Sequence, residues 1–502
     1  MNATPADPAS PADPATPAVL CGLAVNPAAP TALLLRLLEP EYAAAWSALG
    51  RERRAFPPEV AAAVVTHPEP RVRGALARNP YVDPEVRGLL VDDPHWHVRS
   101  RLASPPDRDG VARALPEWVI DRMYTTYDHQ ELQELVFSRQ VPFSVRLAHA
   151  THPMASVRAN GTGMWEHLSP ERRAALLADP HPAVRRAAER RVREDDAVAM
   201  ERELEGMPAC HARSQILVNH RLSPAVVDSL LRDPDAGNQW TLAHNYSTPP
   251  EVLARLTGSP DAKVRLELAR RPCLPRPLVD ALARDADPGV RTAVSVRPEL
   301  TEDERASIDY TVEAEENCGP REHHWLPPLD PAESAAYARS RHPLLRRRAA
   351  ADPALPSELV RRLAGDEDAG VRVLLAQNHP GTPPELLLRC YLEYRGPHRE
   401  LLAANPRFPV AGLAERFAAA EEPELRRLAV LDPGLSPALA DRLSRDPAPE
   451  IRAGAARHPR LPAGRLMELL DGDEEQARSA AANPALPVAV MRRLLGGAGA
   501  AA

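Results

Sequence analysis

Several residue types and patterns are scarce in this sequence of 502 residues, and each scarcity argues against a class of protein. Cysteine occurs five times at scattered positions, which argues against a disulfide framework and predicts reduced thiols. No apolar run approaches the roughly 18 residues of a membrane-spanning helix. The N-terminus has neither the basic nor the apolar region of a signal peptide. We therefore predict a cytoplasmic protein with no membrane partner.

Motifs for catalysis are missing as well. The sequence contains no GxSxG, no P-loop, no dinucleotide fingerprint and no HExxH. Cys318, His323 and His324 are residue types that can bind a metal, but no second cysteine pair accompanies them to complete a zinc site. We therefore predict that the protein is not an enzyme and binds neither a cofactor nor a metal.

The charge balance is acidic, with a formal net charge of -7. This balance argues against general nucleic-acid binding, although a basic face could lie within an acidic protein. Alternating apolar and polar runs, clusters of β-branched residues and hairpin turn pairs are also missing. We therefore predict an all-α protein.

One stretch, residues 274–298, recurs in degraded form through most of the chain. Each of its halves carries apolar residues at helical spacing, namely Leu278, Val279 and Leu282 in the first and Val290, Ala293 and Val294 in the second. Asp287 and Pro288 between them are typical of an N-cap and a first helical position. Helices this short are not stable alone, so we expect each repeat to stack on its neighbours.

An arginine marks the same position in successive repeats: Arg73, Arg99, Arg158, Arg185, Arg213, Arg265, Arg291, Arg346, Arg372, Arg399, Arg426 and Arg452. The short steps between them are 26 to 28 residues, and the long ones, 52, 55 and 59, are close to twice that. A fixed period of this length is typical of a solenoid. We predict an α-solenoid superhelix of about 18 two-helix repeats of roughly 26 residues.

The repeats predict the domain organisation. Residues 19–495 are expected to form a single α-solenoid domain, between a disordered Pro/Ala-rich tail at 1–18 and a flexible tail at 496–502. The repeat pattern fails at 107–150 and at 299–330. These two regions are either degenerate repeats or functional insertions.

Three local features depart from the repeat. Mixed charges at helical spacing over 186–206 predict one long solvated helix. Acidic residues predict a second long helix that reaches about Glu316. The repeats begin weakly, with Leu20 and Trp46 at successive arginine positions, and an atypical first repeat is expected of a cap that ends a solenoid.

The pattern DP-x-x-x-VR, seen at 178–188 and 445–462, resembles HEAT-type repeats. The short period and the NP-x-LP-x-x-L link, seen at 483–490, resemble the leucine-rich repeat variant family. That resemblance implies an α-solenoid of alternating helix types. The founding member carries an iron–sulfur cluster on N-terminal cysteines, whereas only Cys21 lies near this N-terminus. We therefore carry over no cluster.

In five repeats an aspartate lies six residues before the recurring arginine, in the pairs Asp93/Arg99, Asp179/Arg185, Asp285/Arg291, Asp366/Arg372 and Asp446/Arg452. We interpret the row as a structural ladder in which aspartate caps the second helix and arginine reaches a cap or carbonyl of its own or the next repeat. The ladder comprises Arg73, Arg99, Arg185, Arg265, Arg291, Arg372 and Arg452. The alternative is a row of guanidinium groups that grips phosphates.

We predict a non-catalytic, monomeric scaffold that binds a macromolecular partner, most readily a protein, on its concave surface. The candidate contact residues lie where the repeat is irregular: Trp118, Tyr124, Tyr127, His323, His324 and Trp325. The alternative is a nucleic-acid-binding HEAT-like protein that uses its rows of arginines. A purely structural role within a larger complex also stays open.

Overall fold

A computed structural model describes residues 15–106, 114–138, 140–232, 235–312 and 329–496. Within these ranges the regular elements are helices, with no strand, and the prediction of an all-α solenoid is confirmed. The chain forms two compact units. Residues up to 146 and from 410 onward make the terminal unit, and residues 147–409 make the middle unit. The prediction that 19–495 is a single domain stays a prediction.

The terminal unit contains two groups of helices from opposite ends of the chain. The first group comprises Pro17–Val25, Thr31–Arg36, the 3-10 helix Pro40–Ala45, the π-helical turn Ala48–Glu52, Pro58–Val65, Pro70–Ala77, Pro84–Gly88, Trp96–Ala103, Glu117–Thr126, His129–Phe137 and Phe143–Ala148, which crosses the boundary. The second group comprises Leu413–Phe417, Pro423–Ala429, Pro437–Leu443, Pro449–Ala456, Ala463–Leu470, Glu474–Ala481 and Val488–Leu494.

The middle unit is a continuous run of helices. They are His149–Thr151, Ala155–Gly161, Thr162–His167, Pro170–Leu177, Pro182–Glu194, Ala197–Leu204, His211–Asn219, Pro224–Arg232, Ala236–His244, Pro250–Leu256, Ala262–Arg270, Arg276–Leu282, Pro288–Ser295, Glu302–Ala306, Pro331–Arg339, Pro343–Ala350, Ser357–Ala364, Ala369–Asn378, Pro384–Glu393 and Arg399–Ala404. Their buried faces join across neighbours, as in the core that extends from Met200 to Ile308.

The repeat at 274–298 folds as its pattern predicts. Its helices are Arg276–Leu282 and Pro288–Ser295, and the side chain of Asp287 accepts a hydrogen bond from the backbone N–H of Val290 at 3.1 Å. The apolar positions Val279, Leu282, Val290 and Val294 are buried. Full burial of such a side chain contributes about 1.5 to 3 kcal/mol, so the stacking of neighbours stabilises helices that are unstable alone.

The first repeat does not form a cap, contrary to the expectation from its atypical sequence. Helix Pro17–Val25 packs on helix Glu474–Ala481, near the other end of the chain. At Gly22 the two backbones come so close that a Cβ would overlap the carbonyl oxygen of Arg478. The buried Asn26 amide donates to the carbonyl oxygens of Ala481 at 2.8 Å and Asn483 at 2.7 Å. We call this contact the terminal junction.

The hydrogen bonds of the terminal junction are those that join ordinary successive repeats. In each, a side chain that follows the second helix donates to two backbone carbonyls of the repeat before it. Within the terminal unit these donors are Asn483, Asn26, Arg53 and Asn79. In the middle unit, Asn245, Arg271 and Arg297 do the same. The first repeat thus follows the last as any repeat follows its predecessor.

Three predicted boundaries are wrong. The long helix expected over 186–206 breaks into Pro182–Glu194 and Ala197–Leu204, because the side chain of Asp196 caps the second helix by accepting from the N–H groups of Val198 and Ala199. That second helix is not fully solvated either, since its Met200 and Leu204 are buried.

The acidic helix expected to reach Glu316 ends at Ala306. There the chain turns, and Arg291 donates to the backbone oxygen of Asp309 at 2.6 Å and to its carboxylate at 2.9 Å. Residues 313–328 lie outside the described part of the chain. The first helix begins at Pro17, inside the tail predicted at 1–18, so the last residues of that stretch are helical.

Candidate functional site

The recurring arginines bond to two repeats at once. Arg265 donates from Nε and Nη2 to the two carboxylate oxygens of Asp285, at 2.8 and 2.9 Å, and from Nη1 to the carbonyl oxygen of Ser259 at 2.7 Å. Asp285 belongs to the following repeat, whereas Ser259 belongs to the same repeat as the arginine. The same arrangement occurs for the pairs Arg73–Asp93, Arg158–Asp179, Arg346–Asp366 and Arg426–Asp446.

The aspartates continue the connection along the chain. A carboxylate oxygen of Asp285 also accepts from the N–H of Asp287 at 2.8 Å, and its backbone oxygen accepts from Arg291 at 2.8 Å. The aspartate six residues before an arginine therefore accepts a hydrogen bond from that arginine through its backbone carbonyl oxygen. Its side-chain carboxylate accepts from the arginine of the preceding repeat. The sequence pattern identified the arginine and the aspartate, but it did not show that the carbonyl and the carboxylate of the aspartate bond to different arginines.

In two of these pairs the pKa of the carboxyl group is lowered, which favours its charged form. The hydrogen bond from Arg158 is the largest cause of the lowered pKa of Asp179, and the hydrogen bond from Arg426 is the largest cause for Asp446. Two ladder arginines lack such a carboxylate among the described residues: Arg185 and Arg452 bond only to carbonyl oxygens of their own repeats. The donors of most ladder arginines are thus already engaged within the protein.

The other ladder arginines pair with different acids. Arg99 donates to the Glu131 carboxylate at 3.1 Å, Arg291 bonds to Asp309, and Arg372 lies 3.3 Å from a carboxylate oxygen of Glu393. Each also donates to the carbonyl of the aspartate six residues before it. Their role as a structural ladder stays a prediction about stability, to be tested by substitution.

Trp118 lies on the first turn of helix Glu117–Thr126 and is 45% exposed. Its indole N–H donates to a carboxylate oxygen of Glu85 at 2.9 Å. Its ring lies against Gly88, where a Cβ would come within 3.2 Å of the ring. Leu89, which follows Gly88, is 59% exposed. Arg122, on the same helix as Trp118, forms an ion pair with Asp92 at 2.7 Å. We call Glu85, Gly88, Leu89, Trp118 and Arg122 the Trp118 surface.

The remaining predicted contact residues are not on this surface. Tyr124 and Tyr127 are each only 7% exposed, and the Arg99 guanidinium lies 5.9 Å from the centre of the Tyr127 ring. Burial is the main cause that raises the pKa of both phenols. These tyrosines support the surface from the core. His323, His324 and Trp325, like Cys318, lie outside the described residues.

Sequence reasoning missed Leu89, Glu85 and Gly88. The only signal for Leu89 is that it precedes Leu90 and Val91, which are buried. These three residues lie in the turn that follows helix Pro84–Gly88, and Leu89 is the exposed one among them. Two further exposed tryptophans, Trp96 and Trp240, lie on second helices of their repeats.

Two other kinds of site are absent from the described part of the chain. No three side chains of His, Cys, Asp or Glu in the described ranges come together in a way that would hold a metal ion. None of the helices placed by the structure combines the length and the apolar character needed to cross a bilayer.

No family model and no curated protein matches this chain. Solved structures that resemble it include a leucine-rich repeat variant with a novel repetitive structural motif, 24% identical, which covers 51% of this chain and 80% of its own, with a TM-score of 0.23. Kap121p bound to RanGTP is 13% identical over 93% of this chain and 40% of its own, with a TM-score of 0.13. An engineered protein is 14% identical over 92% of this chain and 98% of its own, with a TM-score of 0.14. Likenesses this weak carry no argument about function.

Proposed function

We propose that this chain is a non-catalytic scaffold of the leucine-rich repeat variant or HEAT-like type that binds a protein partner through the Trp118 surface. The observation that supports it is that two large apolar side chains, Trp118 and Leu89, are exposed, and that the Trp118 ring lies against Gly88, the residue before Leu89. Sequence support for the family comes from the DP-x-x-x-VR and NP-x-LP-x-x-L patterns. Placement on a concave face stays a prediction.

The chemistry of the Trp118 surface suits protein binding. Tryptophan is among the residues that contribute most to binding energy at protein interfaces. The Glu85 bond and the contact with Gly88 hold the indole in one orientation before binding, which reduces the entropy lost on association. The charged pair Arg122–Asp92 supplies a polar rim beside the apolar pair.

The nucleic-acid alternative is less well supported. Ladder arginines such as Arg265 already donate to aspartate and carbonyl oxygens, so binding phosphate would require breaking those bonds. The acidic net charge adds a long-range repulsion. This alternative predicts an affinity that falls steeply with added salt, whereas an apolar interface responds weakly.

The proposal is tested by quantitative capture of the partner from nuclease-treated lysate with tagged wild-type protein and the variants Trp118→Ala and Leu89→Ser. We expect Trp118→Ala to weaken affinity for the captured protein by roughly thirtyfold, the effect of losing an interface hot spot. Trp96→Ala is the matched control, because Trp96 is similarly exposed in the same unit but outside the Trp118 surface. Equal capture by Trp118→Ala and wild type, both folded by circular dichroism, contradicts the proposal.

We place this activity in a cytoplasmic monomer, in keeping with the scattered cysteines. Cys21, Cys210, Cys273 and Cys390 form no disulfide with one another. Sedimentation at increasing concentration measures the oligomeric state, and a dimer at micromolar concentration would contradict the monomer.

A further inference from the structure

A cavity of about 670 Å³ lies in the terminal unit, where the first and last repeats meet. Its wall includes Arg51 through Arg54 and Tyr81 from the first repeats, and Arg457 from one of the last. Its volume is within the range of roughly 300 to 1,000 Å³ that small-molecule sites occupy. The cavity depends on the terminal junction, because neither end of the chain lines it alone.

The lining is strongly positive. Four arginines contribute to it, namely Arg51, Arg53, Arg54 and Arg457, against one carboxylate, Glu52. That carboxylate is engaged, since Arg478 donates to both of its oxygens, at 2.7 and 2.8 Å. A concentration of positive charge in a concave wall raises the local concentration of anions. It stands out in a protein whose net charge is -7.

Arg457 is exposed and lines the cavity, and its guanidinium makes no hydrogen bond or ion pair with any residue that the structure describes. The surrounding protein desolvates its guanidinium, which is the main cause of its lowered pKa, and the nearby charge of Arg478 adds to that effect. Burial disfavours the charged form of a guanidinium, and the charges of Glu52 and Glu475 offset that effect only in part. An anion in the cavity would add to that offset.

Two of the other arginines, Arg53 and Arg54, are held by contacts within the protein. Arg53 donates from Nη1 to the carbonyl oxygens of Ala24 and Asn26 and from Nε to that of Ala55. The Arg54 guanidinium lies 5.0 Å from the centre of the Tyr81 ring. Arg51 belongs to the π-helical turn Ala48–Glu52, a rare element that occurs often at functional sites. The Arg53 and Arg54 side chains are therefore held in place before a ligand binds.

From this geometry we infer that the cavity binds a small phosphate-bearing molecule. Guanidinium groups match the oxygens of phosphate with paired, charge-assisted hydrogen bonds, and Arg457 and Arg54 have donors that no described carboxylate occupies. The prolines that also line the wall, Pro27, Pro80 and Pro484, provide apolar surface for the remainder of such a ligand. This site is separate from the Trp118 surface and does not depend on it.

Binding would also stabilise the terminal junction. A ligand held by Arg54 from the first repeats and by Arg457 from the last would favour the state in which they are together. Anything that binds only the folded state raises its stability with ligand concentration. The inference therefore predicts both an affinity and a ligand-dependent rise in melting temperature.

The test uses the full chain with inorganic pyrophosphate as the probe, measured by isothermal titration calorimetry at constant ionic strength. We expect saturable binding of one pyrophosphate, with affinity reduced roughly tenfold in Arg457→Ala and further in Arg457→Ala/Arg54→Ala, since each removes charge-assisted hydrogen bonds. The control is Arg460→Ala, which removes the same charge from a residue three positions along the chain from Arg457 and outside the wall of the cavity.

Each outcome decides the inference. Loss of affinity in Arg457→Ala with full affinity in Arg460→Ala supports it, provided that both variants keep the circular dichroism spectrum of the wild type. An equal loss in the two variants would mean diffuse attraction to positive charge and would overturn it. Absence of saturable binding to the wild-type protein, or of any pyrophosphate-dependent rise in melting temperature, overturns it as well.

Discussion

Asn26 provides the most direct test of the terminal junction. Its amide nitrogen donates to the carbonyl oxygens of Ala481 and Asn483, and its side-chain oxygen accepts from the N–H of Ala28 at 2.8 Å. Because Asn26 is fully buried, Asn26→Ala would leave these groups without partners and without water. Each unsatisfied buried group costs about 1 to 3 kcal/mol before relaxation. We expect a loss of about 2 to 4 kcal/mol in the free energy of unfolding.

The matched control is Asn245→Ala. Asn245 is equally buried and donates to Leu217 and His220 of the preceding repeat, so it makes the same kind of bond between repeats that are adjacent in sequence. Urea unfolding of both variants, followed by circular dichroism, gives the loss in the free energy of unfolding that each substitution causes. Native-state hydrogen exchange then shows whether Asn26→Ala lowers protection within Glu474–Ala481.

The reasoning would be refuted if Asn245→Ala is destabilising while Asn26→Ala costs less than about 0.5 kcal/mol, the usual effect of a surface substitution. That result would mean that the first and last repeats are apart in solution. A loss of protection confined to residues near Asn26, with none in Glu474–Ala481, would lead to the same conclusion.

The ladder and a buried histidine give two further predictions. Arg265→Ala should lower the free energy of unfolding by about 2 to 4 kcal/mol, because it leaves the buried Asp285 carboxylate without its partner. In a double-mutant cycle with Asp285→Ala, the two losses of stability should be less than additive. Full additivity would contradict the structural role of the ladder. His342 is buried against Ser295 and Tyr310, and burial, followed by the charge of Arg305, lowers the pKa of its imidazole to about 4. The unfolded chain therefore takes up the proton first, so stability present above about pH 6.5 should decline as the pH falls toward 4. An NMR titration of the His342 ring with a midpoint near 6.5 would show this to be wrong.

The repeat itself could be predicted from sequence because its determinants are local. The spacing of Val279, Leu282, Val290 and Val294 and the cap at Asp287 lie within one repeat, and all of them behave as the pattern indicates. The terminal junction depends on residues some 455 positions apart, so no local pattern specifies it. Asn26–Pro27 and Asn483–Pro484 are the same link motif, which is a weak sequence signal for the terminal junction. A repeat that ends the solenoid would not need this motif.

The candidate surface was predicted only in part, for a reason visible in one helix. In Glu117–Thr126 the buried residues are Val119, Ile120, Met123 and Tyr124, so Trp118 and Arg122 belong to the opposite face. Helical periodicity therefore assigns Tyr124 to the core, where aromatic composition alone grouped it with Trp118. The neighbouring residues Glu85 and Leu89 belong to the repeat before the one that holds Trp118. The sequence does not indicate which faces of two stacked repeats meet, so these neighbours become visible only in the structure.

The terminal junction imposes an order on synthesis and folding. Residues 147–409 are made in one stretch, so the middle unit has all of its partners as soon as it leaves the ribosome. The helix Pro17–Val25 is made before the middle unit but finds its neighbour, Glu474–Ala481, only after the middle unit has been made. Until then the side of this helix at Gly22, which packs on Glu474–Ala481, is uncovered. A repeat that is synthesised early is thus finished late, and that interval is when the nascent chain most needs a chaperone.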